Sequence, residues 1–93
     1  MSRAKRTDAN QAEIVAALRE VGASVHCAHA AGGGFPDLVV GIAGETFLLE
    51  TKTASGSLNA RQRKWHQGWR GHAVVVRDVN EALAAVGKMK QEE

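Results

Sequence analysis

One cysteine in 93 residues excludes an intrachain disulfide. No apolar run is long enough to cross a bilayer, and nothing resembles a signal peptide. Internal repeats, low-complexity tracts and an interdomain linker are also missing. Charge of one sign is scarce: 12 basic against 10 acidic residues leave a formal net charge of +2, a weak pointer to a polyanionic partner. These absences point away from a secreted disulfide scaffold and a membrane protein. A reducing, cytoplasmic setting is expected.

What is present suits one small domain over residues 1–93. Hydrophobic residues make up 44% and charged residues 24%, the proportions of a globular chain with room for a single core. The basic residues are unevenly placed. Arg3, Lys5 and Arg6 crowd the N-terminus, where residues 1–7 read as a flexible basic arm. Lys52, Arg61, Arg63, Lys64 and Arg70 follow the central stretch of the chain, and the C-terminal end is mixed.

Asp8 or Thr7 can cap a first helix running to about Val21, with Gly22 as its stop. Ile14, Val15, Leu18 and Val21 recur at helical spacing and form its buried stripe. Ser24 to about His29 reads as a short strand, and Ala30 to Gly34 as a glycine-rich approach to the next element. Asn59 with Gln62 three residues on has the pattern of a capping box. The helix it opens should run to about Trp69, with Leu58, Trp65 and Trp69 turned inward. His72 to Arg77 is an apolar strand whose composition suggests burial on both faces. Asp78 with Glu81 opens a last helix to roughly Met89. The order α-β-β-β-α-β-α predicts an α/β fold: a mixed four-stranded sheet flanked by helices, with a parallel β-α-β crossover.

The informative stretch lies in the middle. Leu38-Val39-Val40, opened by Pro36-Asp37, and Thr46-Phe47-Leu48-Leu49, running into Glu50-Thr51-Lys52, are two strands separated by a short glycine-bearing turn. If the turn centres between Ala43 and Gly44, Asp37 falls opposite Glu50. Opposed residues have Cβ atoms about 4.5–5.5 Å apart, and like charges there are destabilising. Alternation puts Lys52 on the face of Glu50 and Thr51 on the other. Two carboxylates and an ammonium therefore converge at the hairpin end away from the turn. A divalent cation between the acids would relieve the repulsion, as Mg²⁺ does with one or two carboxylates plus phosphate oxygens. The backbone oxygen of Thr51 is a further candidate ligand.

Pro36-Asp37, then twelve residues, then Glu50-Thr51-Lys52 resembles the PD-(D/E)XK nuclease motif. With Gly34-Phe35-Pro36-Asp37-Leu38, Phe47-Leu48-Leu49-Glu50-Thr51-Lys52 and Leu58 to Gln62, the chain looks like the virus-type replication-repair nuclease (VRR-NUC) branch of that superfamily, in its stand-alone phage-like form. The resemblance spans about Glu13 to Val76. It implies a restriction-endonuclease-like fold and a Mg²⁺- or Mn²⁺-dependent endodeoxyribonuclease, selective for branched DNA in the manner of a Holliday-junction resolvase. It also implies a homodimer in the cytoplasm of a bacterium or a phage-infected host. The counterparts of Asp37 and Glu50 bind metal, that of Lys52 assists catalysis, and Glu13 and Gln62 match residues that often complete the site.

Each residue has a plainer reading too. Asp37 suits a turn after proline, and Glu50 with Lys52 could be an exposed strand ion pair worth about 0–1 kcal/mol. Gln62 is accounted for by capping alone, and Glu13 lies off the apolar stripe as a solvated glutamate would. Arg61, Arg63 and Lys64 can contact phosphates or form a solvated basic face. Two other functions fit parts of the chain: a non-catalytic DNA-binding subunit, and a small zinc protein using His26, Cys27 and His29. Alternation splits that trio, and no second ligand pair has finger-like spacing.

Overall fold

The computed structural model describes residues 6–88, with the helices and strands in the order α1 (Arg6–Glu20), β1 (Ser24–Cys27), β2 (Leu38–Ile42), β3 (Glu45–Thr51), α2 (Ala60–Gly68), β4 (Ala73–Val76) and α3 (Val79–Ala85). A 3₁₀ turn over His29–Ala31 leads out of β1. The four strands form one sheet in the order β1-β2-β3-β4. The β1–β2 and β2–β3 pairs are antiparallel, and β3–β4 is parallel. This is the mixed α/β sheet expected from the sequence, in the expected element order.

Local chemistry explains most boundaries. In α1 the amides of Gly22 and Ala23 fold back onto the carbonyls of Arg19 and Leu18, satisfying the helix end. Asn59 caps α2 through a complete capping box: its side chain accepts from Gln62 N, and the Gln62 side chain accepts from Asn59 N. Asp78 caps α3 by accepting from Glu81 N, while Glu81 Oε1 accepts from Arg77 N one residue ahead of the cap.

Alternation along the strands sorts the two faces. Leu38, Val40 and Leu49 pack with Ile14, Leu18, Val76, Ala82 and Val86 in the core between the sheet and helices α1 and α3. Residues one step out of phase face the other way, where Glu50 meets Gln62 of α2. Phe35, on the loop before β2, meets Trp65 of α2 edge-to-face at 5.3 Å. That loop lies so close to α2 that a Cβ on Gly34 would stand 2.6 Å from the Arg61 carbonyl oxygen. Only glycine fits there.

Several expectations need correction. Thr7 and Asp8 lie inside α1 rather than at its cap, and Arg6 and Thr7 are helical instead of part of an arm; residues 1–5 lie outside the described residues. Val21 follows the last helical residue and is exposed, so the apolar stripe of α1 ends at Leu18. β1 closes at Cys27, and His29 belongs to the 3₁₀ turn. Trp69 is 44% exposed, beyond the end of α2. Val74 is 42% exposed because β4 has a neighbour on one side only, so it is not buried on both faces. Helix α3 ends at Ala85, where Gly87 N bonds Ala84 O and Lys88 N bonds Leu83 O; Met89 lies outside the described residues.

The β2–β3 turn fixes the site's register. Ile42 pairs with Glu45 and the ladder continues to Leu38 with Leu49, so the next opposed pair is Asp37 and Glu50. Ala43 and Gly44 both take positive φ, 53° and 80°, the signature of a two-residue type I′ connection. Alanine is a poor residue for that conformation. Replacing Ala43 by Asn, which suits this turn position, should stabilise the fold by roughly 0.5–1 kcal/mol. For a chain this size that is about 2–8 °C in Tm. Calorimetry checks it, and an unchanged or lowered Tm would contradict the turn assignment.

Candidate active site

Beyond the paired ends of β2 and β3, the chain brings Asp37, Glu50, Thr51, Lys52 and Gln62 to one open cleft of about 440 Å³, together with Gln11 and His29. Its centre is Glu50, 1% exposed. A carboxylate so deeply placed needs partners for both oxygens, because an unpaired buried charge is strongly unfavourable. Oε2 has them. It accepts from Gln62 Nε2 at 3.0 Å, and Lys52 Nζ stands 3.7 Å away. Oε1 is buried with no hydrogen-bond partner.

Asp37 is held from one side. Its Oδ2 accepts from Thr51 N and Thr51 Oγ1, each at 2.9 Å. Thr51 Oγ1 also lies 2.9 Å from Gln11 Oε1. A hydroxyl has one proton and serves one acceptor at a time. With the Gln11 amide turned so that its NH₂ faces Thr51, the relay from Gln11 through Thr51 to Asp37 is satisfied at every link. Thr51 is itself 2% exposed, so this relay operates away from solvent.

The carboxyl of Glu50 is pushed up to about 7, first by burial and then by the negative charge of Asp37; Lys52 pulls the other way. Burial dominates, so the nearby ammonium does not restore an ordinary carboxylate.

Gln62 serves two purposes at once. Its Oε1 closes the α2 capping box at Asn59 N while its Nε2 binds Glu50. Capping and site membership, alternatives in the sequence, are one geometry here. The helix N-terminus and the buried acid are fastened by the same side chain.

Glu13 is not brought to this cleft. It is exposed on α1 and lines a separate hollow with Asn10, Thr53 and Arg77. Gln11 takes its place, since residues two apart on a helix point about 200° from each other. Gln11 was legible in principle: with Ile14 and Leu18 it continues the i, i+3, i+7 stripe, a polar residue on the buried face. Asn10 was also missed. Its Nδ2 donates to the carbonyls of Lys52 and Arg77, both at 3.0 Å, tying α1 to the strand that carries Lys52. No local signal in the sequence marks it.

Arg61, Arg63 and Lys64 are exposed on α2. Arg61 borders a second cleft, about 240 Å³, that shares His29, Asp37 and Gln62 with the first. Arg63 Nη1 is turned back onto Leu58 O at 2.9 Å. His26, Cys27 and His29 are all exposed.

Among the described residues, no three His, Cys, Asp or Glu side chains are grouped to hold a metal. The Asp37–Glu50 pair still offers two carboxylates of the kind a hard divalent ion takes, the ion completing its shell with water and substrate oxygens. The unpartnered, buried Glu50 Oε1 is the observation that favours one. No family model, curated protein or solved structure matches this chain.

The Glu50 carboxyl makes stability depend on pH in a defined direction. Its folded value of about 7 lies above the ordinary 4.5, so the native state holds the proton more tightly than the unfolded chain. The resulting stabilisation is complete below pH 4.5, declines as pH rises toward 7 and is gone above it. At about 1.4 kcal/mol per pH unit the loss is on the order of 3 kcal/mol. In chelator, wild type should therefore lose stability relative to Glu50→Gln across this interval. Parallel denaturant titrations at several pH values measure the difference, and a constant one would contradict the assignment.

Proposed function

We propose that the chain is a metal-dependent endodeoxyribonuclease that hydrolyses phosphodiester bonds. The observation that carries the reading is the buried Glu50 carboxylate, opposed to Asp37 and left with one oxygen unpaired beside an open cleft. The Lys52–Glu50 ion pair engages only Oε2 and leaves Oε1 without a partner. Asp37 and Glu50 would hold Mg²⁺ or Mn²⁺, with the Thr51 carbonyl as a further oxygen donor. Bound there, the ion supplies Lewis-acid polarisation of a phosphate oxygen and a lowered pKa for a water.

The chain's own residues do the remaining work. Gln62 occupies Glu50 Oε2 and so fixes which carboxylate oxygen faces the ion site. Thr51, braced by Gln11, orients Asp37 through its amide and hydroxyl. The side chain of Lys52, 17% exposed, places a positive charge where negative charge builds on phosphate oxygens during the reaction. Asn10 holds the Lys52 carbonyl and thereby the strand end from which that ammonium projects.

The substrate reading extends to branched DNA cut by a homodimer in the cytoplasm of a bacterial or phage-infected cell. A 93-residue protomer has little surface with which to grip a junction, and two copies present two sites. No described helix is long and apolar enough to cross a membrane.

Cleavage of four-way-junction, flap and linear DNA with Mg²⁺, Mn²⁺ or chelator tests the proposal. The expected result is cutting that requires metal and falls at least about a hundredfold in Asp37→Asn, the scale of removing one group that stabilises the transition state, while DNA binding persists. Binding without cleavage in every metal would identify a DNA-binding subunit instead. Cleavage that survives the substitution would rule out this site.

A further inference from the structure

From Thr51 to Arg77 the chain carries six Lys or Arg residues and no Asp or Glu. Helix α2 and its exit turn lie within this acid-free segment, and on them sits an aromatic stack that the proposed chemistry does not use. Gln62, Trp65 and Trp69 follow one another at i, i+3 and i+7, a single stripe along the helix. Gln62 begins the stripe at Glu50. Trp65 is half-buried against Phe35, and Trp69 lies over Trp65 with ring centroids 4.8 Å apart and planes 17° from parallel.

Trp69 ends the stack. It is 44% exposed even though Trp65 covers one side of it. It is also held in place. The edge of its indole packs on the exit turn so tightly that a Cβ on Gly71 would stand 2.9 Å from Nε1. The ring is thus backed by Trp65, braced by the exit turn, and still 44% exposed. Arg61, Arg63, Lys64 and Arg70 are exposed along the same segment. Cations on the same segment as an exposed aromatic ring, with Arg70 next to Trp69 in the chain, are a combination by which proteins bind single-stranded nucleic acid: charge follows the phosphates, and a base stacks on the ring.

We infer that Trp69, backed by Trp65, is a stacking platform for an unpaired base of the substrate. The inference rests on the nucleic-acid reading of the cleft and adds a substrate class to it: DNA with a single-stranded segment beside the duplex. Spacing agrees. Helix α2 rises about 9 Å along its axis from Gln62 to Gly68, with Trp69 directly after it, roughly three base steps of B-DNA. A strand whose phosphate lies at Asp37 and Glu50 can reach Trp69 with a nearby base, provided that base is not paired. Blunt duplex offers none. A flap or a tail does.

The test is a binding measurement, independent of cleavage. A blunt duplex of two complementary strands and the same duplex with a short single-stranded tail are titrated in chelator with wild type, Trp69→Ala and Trp69→Phe, reading anisotropy of the DNA and quenching of tryptophan emission. Wild type should bind the tailed duplex about tenfold or more tightly, with quenching. Trp69→Ala should lose that preference while keeping its affinity for the blunt duplex within about twofold, and Trp69→Phe should retain most of it. Equal wild-type affinities for the two duplexes would overturn the inference, as would a Trp69→Ala loss that is the same on both. Sedimentation in which Trp69→Ala abolishes self-association and leaves DNA binding untouched would assign the ring to a second copy of the chain. A protein that cuts DNA but ignores the tail sinks the platform alone; one that prefers the tail but never cuts sinks the nuclease reading alone.

Discussion

Two carboxyl groups set opposite each other at the end of a hairpin, one of them removed from water, are the constraint around which this fold is arranged. Desolvating a carboxylate costs several kcal/mol unless partners replace the lost water. The chain supplies partners selectively. Glu50 receives Gln62 and Lys52 on one oxygen and nothing on the other. Asp37 receives Thr51 twice on a single oxygen. Both acids are thus anchored from behind.

Each layer of the structure contributes one anchor. Helix α1 sends Gln11 to Thr51 and Asn10 to the Lys52 carbonyl. Helix α2 sends Gln62, whose position is fixed in turn by its role in the cap. The Gly34 loop lies against the first turn of α2, and Phe35 packs on Trp65, so the segment bearing Asp37 and the helix bearing Gln62 are locked together. The I′ turn at the far end sets the register that puts Asp37 opposite Glu50. A change of one residue in that turn would turn the acids to opposite faces. Burial, with the charge of Asp37 adding to it, is why the Glu50 carboxyl holds its proton to about pH 7.

The fold was legible because its signals are local. Strand periodicity, the capping pairs at Asn59 and Asp78 and the two-residue turn act over a few residues, and they led to the element order and to the Asp37–Glu50 opposition. What failed depends on tertiary surroundings. Val74 is apolar yet exposed, since an edge position is decided by strand order and not by composition. Trp69, expected inward as the end of α2, lies past the helix's last residue and is exposed. Glu13 was chosen through the family resemblance, whereas the helical angle favours Gln11, a polar residue on an apolar stripe. Asn10 and its two carbonyl partners lie 42 and 67 residues apart in the chain, beyond what any local pattern encodes.

The central claim is that the opposed acids are a cation site and not a proton-sharing pair. Diffraction from crystals grown with Mn²⁺, at a pH well above the Glu50 value and at an energy where manganese scatters anomalously, tests it most directly. The account predicts an anomalous peak in contact with Asp37 and with Glu50 Oε1, and Gln62 still on Oε2. A map with no peak between the two carboxyl groups, and with both side chains where they stand here, would contradict it.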